Sequence, residues 1–245
     1  MIITHSQILK SVISEALDRP DSKILSTFSG AHMVAVMSES GTGLCSKPPR
    51  FIQETPGSAP EHGDSAHSLA ASLEHQNTVN ASLGLAAINS LLNQDKPGQE
   101  TKVQDLVRCL GKNKNVAIIG HFPFVEKMGR DFKNFWVLEL SPGSMDLPEH
   151  MKQDILPRAD LVAITATTLL NNTLGEIINL TRENAVKIML GPSTPMASCL
   201  FDLGLDYLGG AFVQDPVLAV SGIEKDLPFR KMEGVRYVLT GKKHL

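Results

Sequence analysis

Between residues 6 and 17 the apolar side chains fall at Ile8, Leu9, Val12, Ile13, Ala16 and Leu17, the spacing of one face of an α-helix. Arg19 and Pro20 predict its end. Apolar runs over 24–28 and 33–37 read as strands, Gly41-Thr42-Gly43 reads as a turn, and the polar stretch from Lys47 to Asp64, rich in Pro and Gly, reads as a surface loop. A second helix is predicted over Ser82 to Leu92, capped by Thr78 or Asn80, with Gly84, Ala86 and Ala87 small enough for close packing against another backbone.

The pattern changes after residues 94–101, where Pro97, Gly98 and several polar residues predict a connection between domains. Continuous apolar runs at 116–119, 135–140, 161–165, 185–190 and 207–213 alternate with helix-like segments. Continuous runs mark strands buried on both faces, and their alternation with helices predicts a parallel sheet with right-handed crossovers. The expected class is α/β, with a smaller α+β domain over residues 1–95 and a parallel-sheet domain over 96–245.

At 245 residues, net charge −3 and 42% hydrophobic, the chain can bury one large or two small cores. It has no apolar run near the roughly 20 residues of a membrane span, and residues 1–10 lack the features of a signal peptide, so a cytoplasmic location away from membranes is expected. Cys45, Cys109 and Cys199 are odd in number and widely scattered, which argues for reduced thiols and against a thiolate zinc site. The lack of basic excess and the 5% aromatic content argue against nucleic acid as a partner. A homo-oligomer is compatible with the sequence, and no cofactor can be named from it.

Candidate chemistry gathers after the strand-like runs, because ligands of open α/β sheets bind outside the carboxyl ends of the strands. Gly191-Pro192-Ser193-Thr194-Pro195 predicts a turn and then a helix with Thr194 as N-cap and Pro195 at the first position, a helix start suited to an anion, although capping alone explains these residues equally well. Gly120-His121-Phe122-Pro123 departs from the dinucleotide fingerprint, since Phe122 and Val125 stand where its second and third glycines belong. Glu139 follows about twenty residues later, where an acid can hold ribose hydroxyls. Thr165 to Thr173 is dense in hydroxyls and amides; Thr165, Thr167, Asn171 and Asn172 read as ligand-binding, while Thr173 with Glu176 has capping-box spacing. Ser193 lacks a nucleophile elbow. Glu61, His62, Asp64, His67, Glu74 and His75 are a loose group of potential metal ligands whose spacing is poor, so no metal site is assigned.

Taken together, Gly120-His121-Phe122-Pro123, Leu156-Pro157-Arg158-Ala159-Asp160-Leu161-Val162, Ile164-Thr165 with Asn171 and Thr173, Gly191-Pro192-Ser193-Thr194-Pro195, and Ser82-Leu83-Gly84-Leu85-Ala86-Ala87-Ile88-Asn89 resemble the heavy-metal chelation family. The resemblance covers most of the chain. It implies an enolase N-terminal-like α+β domain followed by a Rossmann-like domain, with a site between them. The family carries a theme of metal handling or metal-chelating small molecules and no settled reaction.

Two classes of function follow. The first is an enzyme acting on a polar or heteroaromatic small molecule, such as a chelator precursor or a pterin-like compound, in an interdomain cleft. His121 and Glu139 would be general acid and base. Gly120, Phe122, Pro123, Thr165, Thr167, Asn171, Asn172, Gly191, Pro192, Ser193 and Thr194 would bind the ligand, and Thr42, Asn80 and Asn89 would close the cleft. The second is a non-catalytic carrier of a metal or metal chelate. An S-adenosylmethionine-dependent methyltransferase is compatible with Glu139 but lacks the expected glycine-rich loop.

Overall fold

The computed structural model describes residues 2–47, 65–75, 78–94 and 102–242. Helix α1 (His5–Leu17) starts with a complete capping box between Thr4 and Gln7 and buries Ile8, Leu9, Val12, Ile13 and Ala16, the face read from its periodicity. Three antiparallel strands follow, β1 (Ile24–Ser29), β2 (Met33–Ser38) and β3 (Gly41–Ser46), in the order β1-β2-β3.

Strand β3 corrects the expected turn at residues 41–43. The chain reverses at Glu39 and Ser40, and Gly41, Thr42 and Gly43 already pair with Ser38, Met37 and Val36. Two glycines imitate a turn, yet Gly43 is there to admit a neighbour. A Cβ at Gly43 would lie 2.0 Å from the Ala86 carbonyl oxygen and 2.3 Å from the Ser90 nitrogen, both on helix α3 (Val79–Leu92). A short helix, α2 (Ala66–Ala70), precedes α3. Thr78 caps α3 by accepting from the Ala81 N–H, and every residue from Ala81 to Leu92 is buried. An apolar stripe would not suffice here, because α3 is covered on all sides.

Beyond helix α4 (Val103–Gly111) come β4 (Asn115–Ile119), β5 (Asn134–Glu139), β6 (Leu147–Pro148), α5 (Lys152–Ile155), β7 (Leu161–Thr165), α6 (Leu174–Leu180), β8 (Val186–Leu190), α7 (Cys199–Asp202), β9 (Tyr207–Val213), α8 (Pro216–Glu224) and β10 (Val235–Gly241). The seven strands lie in the order β10-β9-β8-β7-β4-β5-β6. All neighbours are parallel except β10, which pairs antiparallel with β9 over its whole length and extends the series beyond the strands expected from sequence. The chain builds outward from β4 through β5 to β6, then returns to lay β7 on the other side of β4. That reversal opens a crevice at the carboxyl ends of β4 and β7.

Alternation along the strands divides the core. Val116, Ile118, Leu161, Ala163 and Ile188 pack with Val107 of α4, and with Val125 and Met128. Ala117, Ile119, Val162, Ile164, Met189 and Leu208 face the other way and join Ile8, Val12, Ala86 and Ile88 in one continuous cluster. The two sheets therefore share a hydrophobic core through α1 and α3.

Two capping expectations are corrected. No helix starts at Pro195: residues 194–197 are irregular, and α7 begins at Cys199 with Ser198 as N-cap. The Asn93 side chain takes over the backbone groups of this segment, accepting from Met196 N–H at 3.0 Å and donating to the Thr194 carbonyl at 3.2 Å. At α6, Thr173 makes no side-chain cap bond, because its hydroxyl donates to Asn171 Oδ1 at 2.6 Å.

Candidate functional site

The crevice at the strand reversal is lined by Gly120, Glu139, Leu140, Glu149, Lys152, Thr165, Thr167, Thr168, Asn171 and Thr173 over a floor of Ile119, Leu138 and Ile177. Water centres can occupy about 50 Å³ of it, room for roughly three or four waters. It suits the polar end of a small molecule. Gly120 is required where β4 leaves the sheet: its φ is +96°, and a Cβ would lie 2.9 Å from Thr165 Cγ2.

Hydroxyls line one wall. Thr165 Oγ1 and Thr167 Oγ1 are 3.0 Å apart, and Thr168 Oγ1 donates to the Thr165 carbonyl at 2.7 Å. Asn171 is held by Thr173, and Asn172 turns the chain at φ +61°, a conformation asparagine tolerates well. The opposite wall carries Lys152, buried at 6% exposure, whose ammonium meets Glu149 and also Glu176. Burial lowers the Lys152 pKa, but hydrogen bonds from its ammonium to both carboxylates prevail and hold it above the usual lysine value.

The rim is organised by two carboxylates. Glu139 Oε2 accepts from the His121 backbone N–H at 2.9 Å, while Oε1 accepts from the Leu140 and Ser141 N–H groups at 2.8 and 3.4 Å. Asp146 Oδ1 lies 2.8 Å from His121 Nδ1, and its Oδ2 accepts from Gly143 N–H at 2.9 Å. The Asp146 side chain is 3% exposed and that of His121 37%. Burial raises the Asp146 pKa, yet the bonds from His121 and Gly143 outweigh it and keep the carboxyl below its ordinary range.

The structure thus brings Gly120, Glu139, Thr165, Thr167 and Asn171 to one crevice; the exposed His121 follows Gly120 and is tied to the crevice through the bond from its backbone N–H to Glu139, without lining it. Phe122 stacks on Phe124 with ring centroids 5.3 Å apart, beside an exposed Pro123. Other expected site residues stand elsewhere. Ser193 is 1% exposed and its hydroxyl accepts from Ser46 N–H at 2.8 Å, and Asn89 Nδ2 donates to the Leu44 and Ser193 carbonyls. Thr42 and Thr194 are buried in the same seam between the sheets, and Gly191 (φ +118°) bonds through its N–H to Gly209 before the half-buried Pro192. Asn80 is half-buried in the first turn of α3. None of these lines the crevice, whose walls come from residues 119–177.

Lys152, Glu149 and Asp146 escape notice in the sequence. The two-residue strand β6 is too short for a periodicity signal, so nothing there marks the loop that follows β5 as a wall of a site.

Thiol chemistry has little support at Cys45 and Cys199. Burial pushes the Cys45 thiol up to about 12, and burial with Glu15 beside it does the same to Cys199. Among the described residues no three His, Cys, Asp or Glu side chains converge as a metal site. His67 is engaged through Nε2 with the Arg19 carbonyl, and Glu61, His62 and Asp64 lie outside the described residues. Among the described residues no helix is long and apolar enough to cross a membrane.

Comparison with known proteins covers both halves. Residues 11–92 and 102–238 match two sequence profiles, each described as "Putative heavy-metal chelation". An uncharacterized protein of Methanocaldococcus jannaschii is 30% identical over 147 residues; the match covers 56% of this chain and about half of that relative, 56% of its length. A crystal structure of a protein of unknown function from Desulfitobacterium hafniense superposes with a TM-score of 0.84 at 25% identity, covering 96% of this chain and 98% of that one. One from Pyrococcus horikoshii gives 0.80 at 20% identity, covering 98% and 100%, a likeness of fold.

Proposed function

This chain belongs to the putative heavy-metal chelation family, and from that premise we propose that it binds the polar end of a small molecule, a metal chelator or its precursor, in the crevice between β4 and β7. The observation that carries the reading is the convergence of Thr165, Thr167, Asn171 and the Glu149–Lys152 pair on one small cavity at the point where the strand order reverses. Three hydroxyl or amide side chains can donate to and accept from the polar end of a ligand, beside Lys152, whose charge is met by Glu149 and Glu176.

The same reading makes the protein an enzyme whose proton-transfer group is His121. Glu139 is already occupied by three backbone N–H groups and serves first to fasten the rim. The buried seam containing Thr42, Asn89, Ser193 and Thr194 joins the proposed domains, 1–95 and 96–245, instead of contacting the ligand.

A thermal-shift screen of small oxygen-rich chelators and their carboxylate or amide precursors tests the proposal. A ligand present at 100 times its Kd stabilises the fold by about 2.7 kcal/mol. Thr167→Ala and Asn171→Ala should abolish the shift given by a true hit, while Asn80→Ala should retain it. Equal shifts in all three variants would place the ligand elsewhere.

A further inference from the structure

We propose that Asp146 is a positioning residue that locks the His121 imidazole in the Nδ1–H tautomer and so presents Nε2 as the proton acceptor at the crevice rim; this rests on the small-molecule reading above. The argument starts from burial. Asp146, the residue before β6, is half-buried as a residue, but its side chain is covered by its own partners and only 3% exposed. A buried carboxylate is retained where its oxygens are paired, and both are: one with His121 Nδ1, the other with the Gly143 N–H. A carboxylate can only accept, so in the neutral ring Nδ1 must carry the proton. Nε2 then bears the lone pair, and it has no hydrogen-bond partner among the described residues.

His121 is tied down at its other end as well. Its backbone N–H is held by Glu139, and its predecessor Gly120 lines the crevice. A ring anchored through both backbone and Nδ1, with Nε2 unengaged, has the geometry of a general base oriented by a carboxylate. The ligand it would serve carries an O–H or N–H that ionises as it binds or reacts. The proton passes from that group to Nε2, the electron pair stays on the ligand oxygen or nitrogen, and the imidazolium formed is balanced by Asp146. The charged groups facing this ring are Asp146 through Nδ1 and Glu139 through the backbone.

The test needs no ligand. The full chain, labelled with ring-¹⁵N histidine, is examined by long-range ¹H–¹⁵N spectra at mildly alkaline pH, with His121→Gln identifying the resonance. The parent should show the Nδ1–H form, and Asp146→Ala should lower the ratio of Nδ1–H to Nε2–H by about tenfold, the scale of losing one hydrogen bond to a charged group. If the alanine variant does not fold, Asp146→Asn is read in its place with a fall in the same direction. An Nε2–H ring in the parent, or an unchanged ratio in the folded variant, overturns the assignment. Because the readout precedes any ligand, failure of the crevice as a binding site shows separately, in the thermal-shift variants.

Discussion

Replacing Asn93 by alanine should be among the most damaging single changes in this protein. Asn93 sits at the end of α3, 3% exposed, and its amide ties that helix to β9 and to the segment after β8: Nδ2 donates to the Thr194 and Ala211 carbonyls, both at 3.2 Å, and Oδ1 accepts from Met196 N–H at 3.0 Å. Alanine deprives three buried backbone groups of this partner. A buried polar group left unpaired costs about 1–3 kcal/mol, so with partial relaxation the total is roughly 3–5 kcal/mol. For a chain of this size each kcal/mol lowers Tm by about 2–4 °C, giving a fall of roughly 6–20 °C. Asn89 supplies the contrast. It makes two bonds, to the Leu44 and Ser193 carbonyls, and its own Oδ1 is buried without a partner. Asn89→Ala removes that unpaired oxygen along with the bonds and should cost about 2–3 kcal/mol. Urea unfolding followed by circular dichroism and by the fluorescence of the single tryptophan, Trp136, measures both, with coincident transitions required before a free energy is assigned. An Asn93→Ala variant within about 1 kcal/mol of the parent, or less perturbed than Asn89→Ala, would refute the bond accounting.

Two further outcomes follow from contacts between packed elements. Glu15 on α1 accepts from the Ser198 and Cys199 N–H groups and the Ser198 hydroxyl; burial raises its pKa, but these bonds outweigh it and hold the value below 4.5. A depressed carboxylate stabilises the fold above its unfolded pKa and loses that contribution as pH falls, so Glu15→Gln should be less stable than the parent near pH 7 and the gap should close below about pH 4.5; a pH-independent gap in parallel melting curves would contradict this. Gly43→Ala would set a methyl against the backbone of α3 at 2.0 Å from the Ala86 carbonyl oxygen, and should cost at least about 3 kcal/mol in urea unfolding, whereas a neutral substitution would mean that α3 and β3 can separate freely.

Much of the fold is legible because it repeats a local rule. The helical stripe of α1 and the unbroken apolar runs of β4, β7 and β8 need only the periodicity of side chains, and each lies where that periodicity places it. Errors arise where a tertiary partner replaced a local one. Gly41 and Gly43 have the composition of a turn, but Gly43 is small for the sake of α3. Thr194 and Pro195 have the composition of a helix start, but Asn93, a hundred residues away in sequence, takes the backbone groups of that segment. The same holds for the lining of the crevice. Gly120, Glu139, Thr165, Thr167 and Asn171 are visible as polar or glycine residues at strand ends, whereas Asp146, Glu149 and Lys152 lie around a two-residue strand with no period to read.

The layers could be read from residue order alone: an α+β beginning and a parallel α/β continuation. Only the tertiary structure decided which strand ends are neighbours. Strand order depends on where each crossover lays the chain, and the return of β7 to the side of β4 separates Ser193, in the buried seam, from Thr165 and Asn171 in the crevice. Local propensity is indifferent to that choice; it is made by the shared core, where residues from both halves of the chain exclude water together.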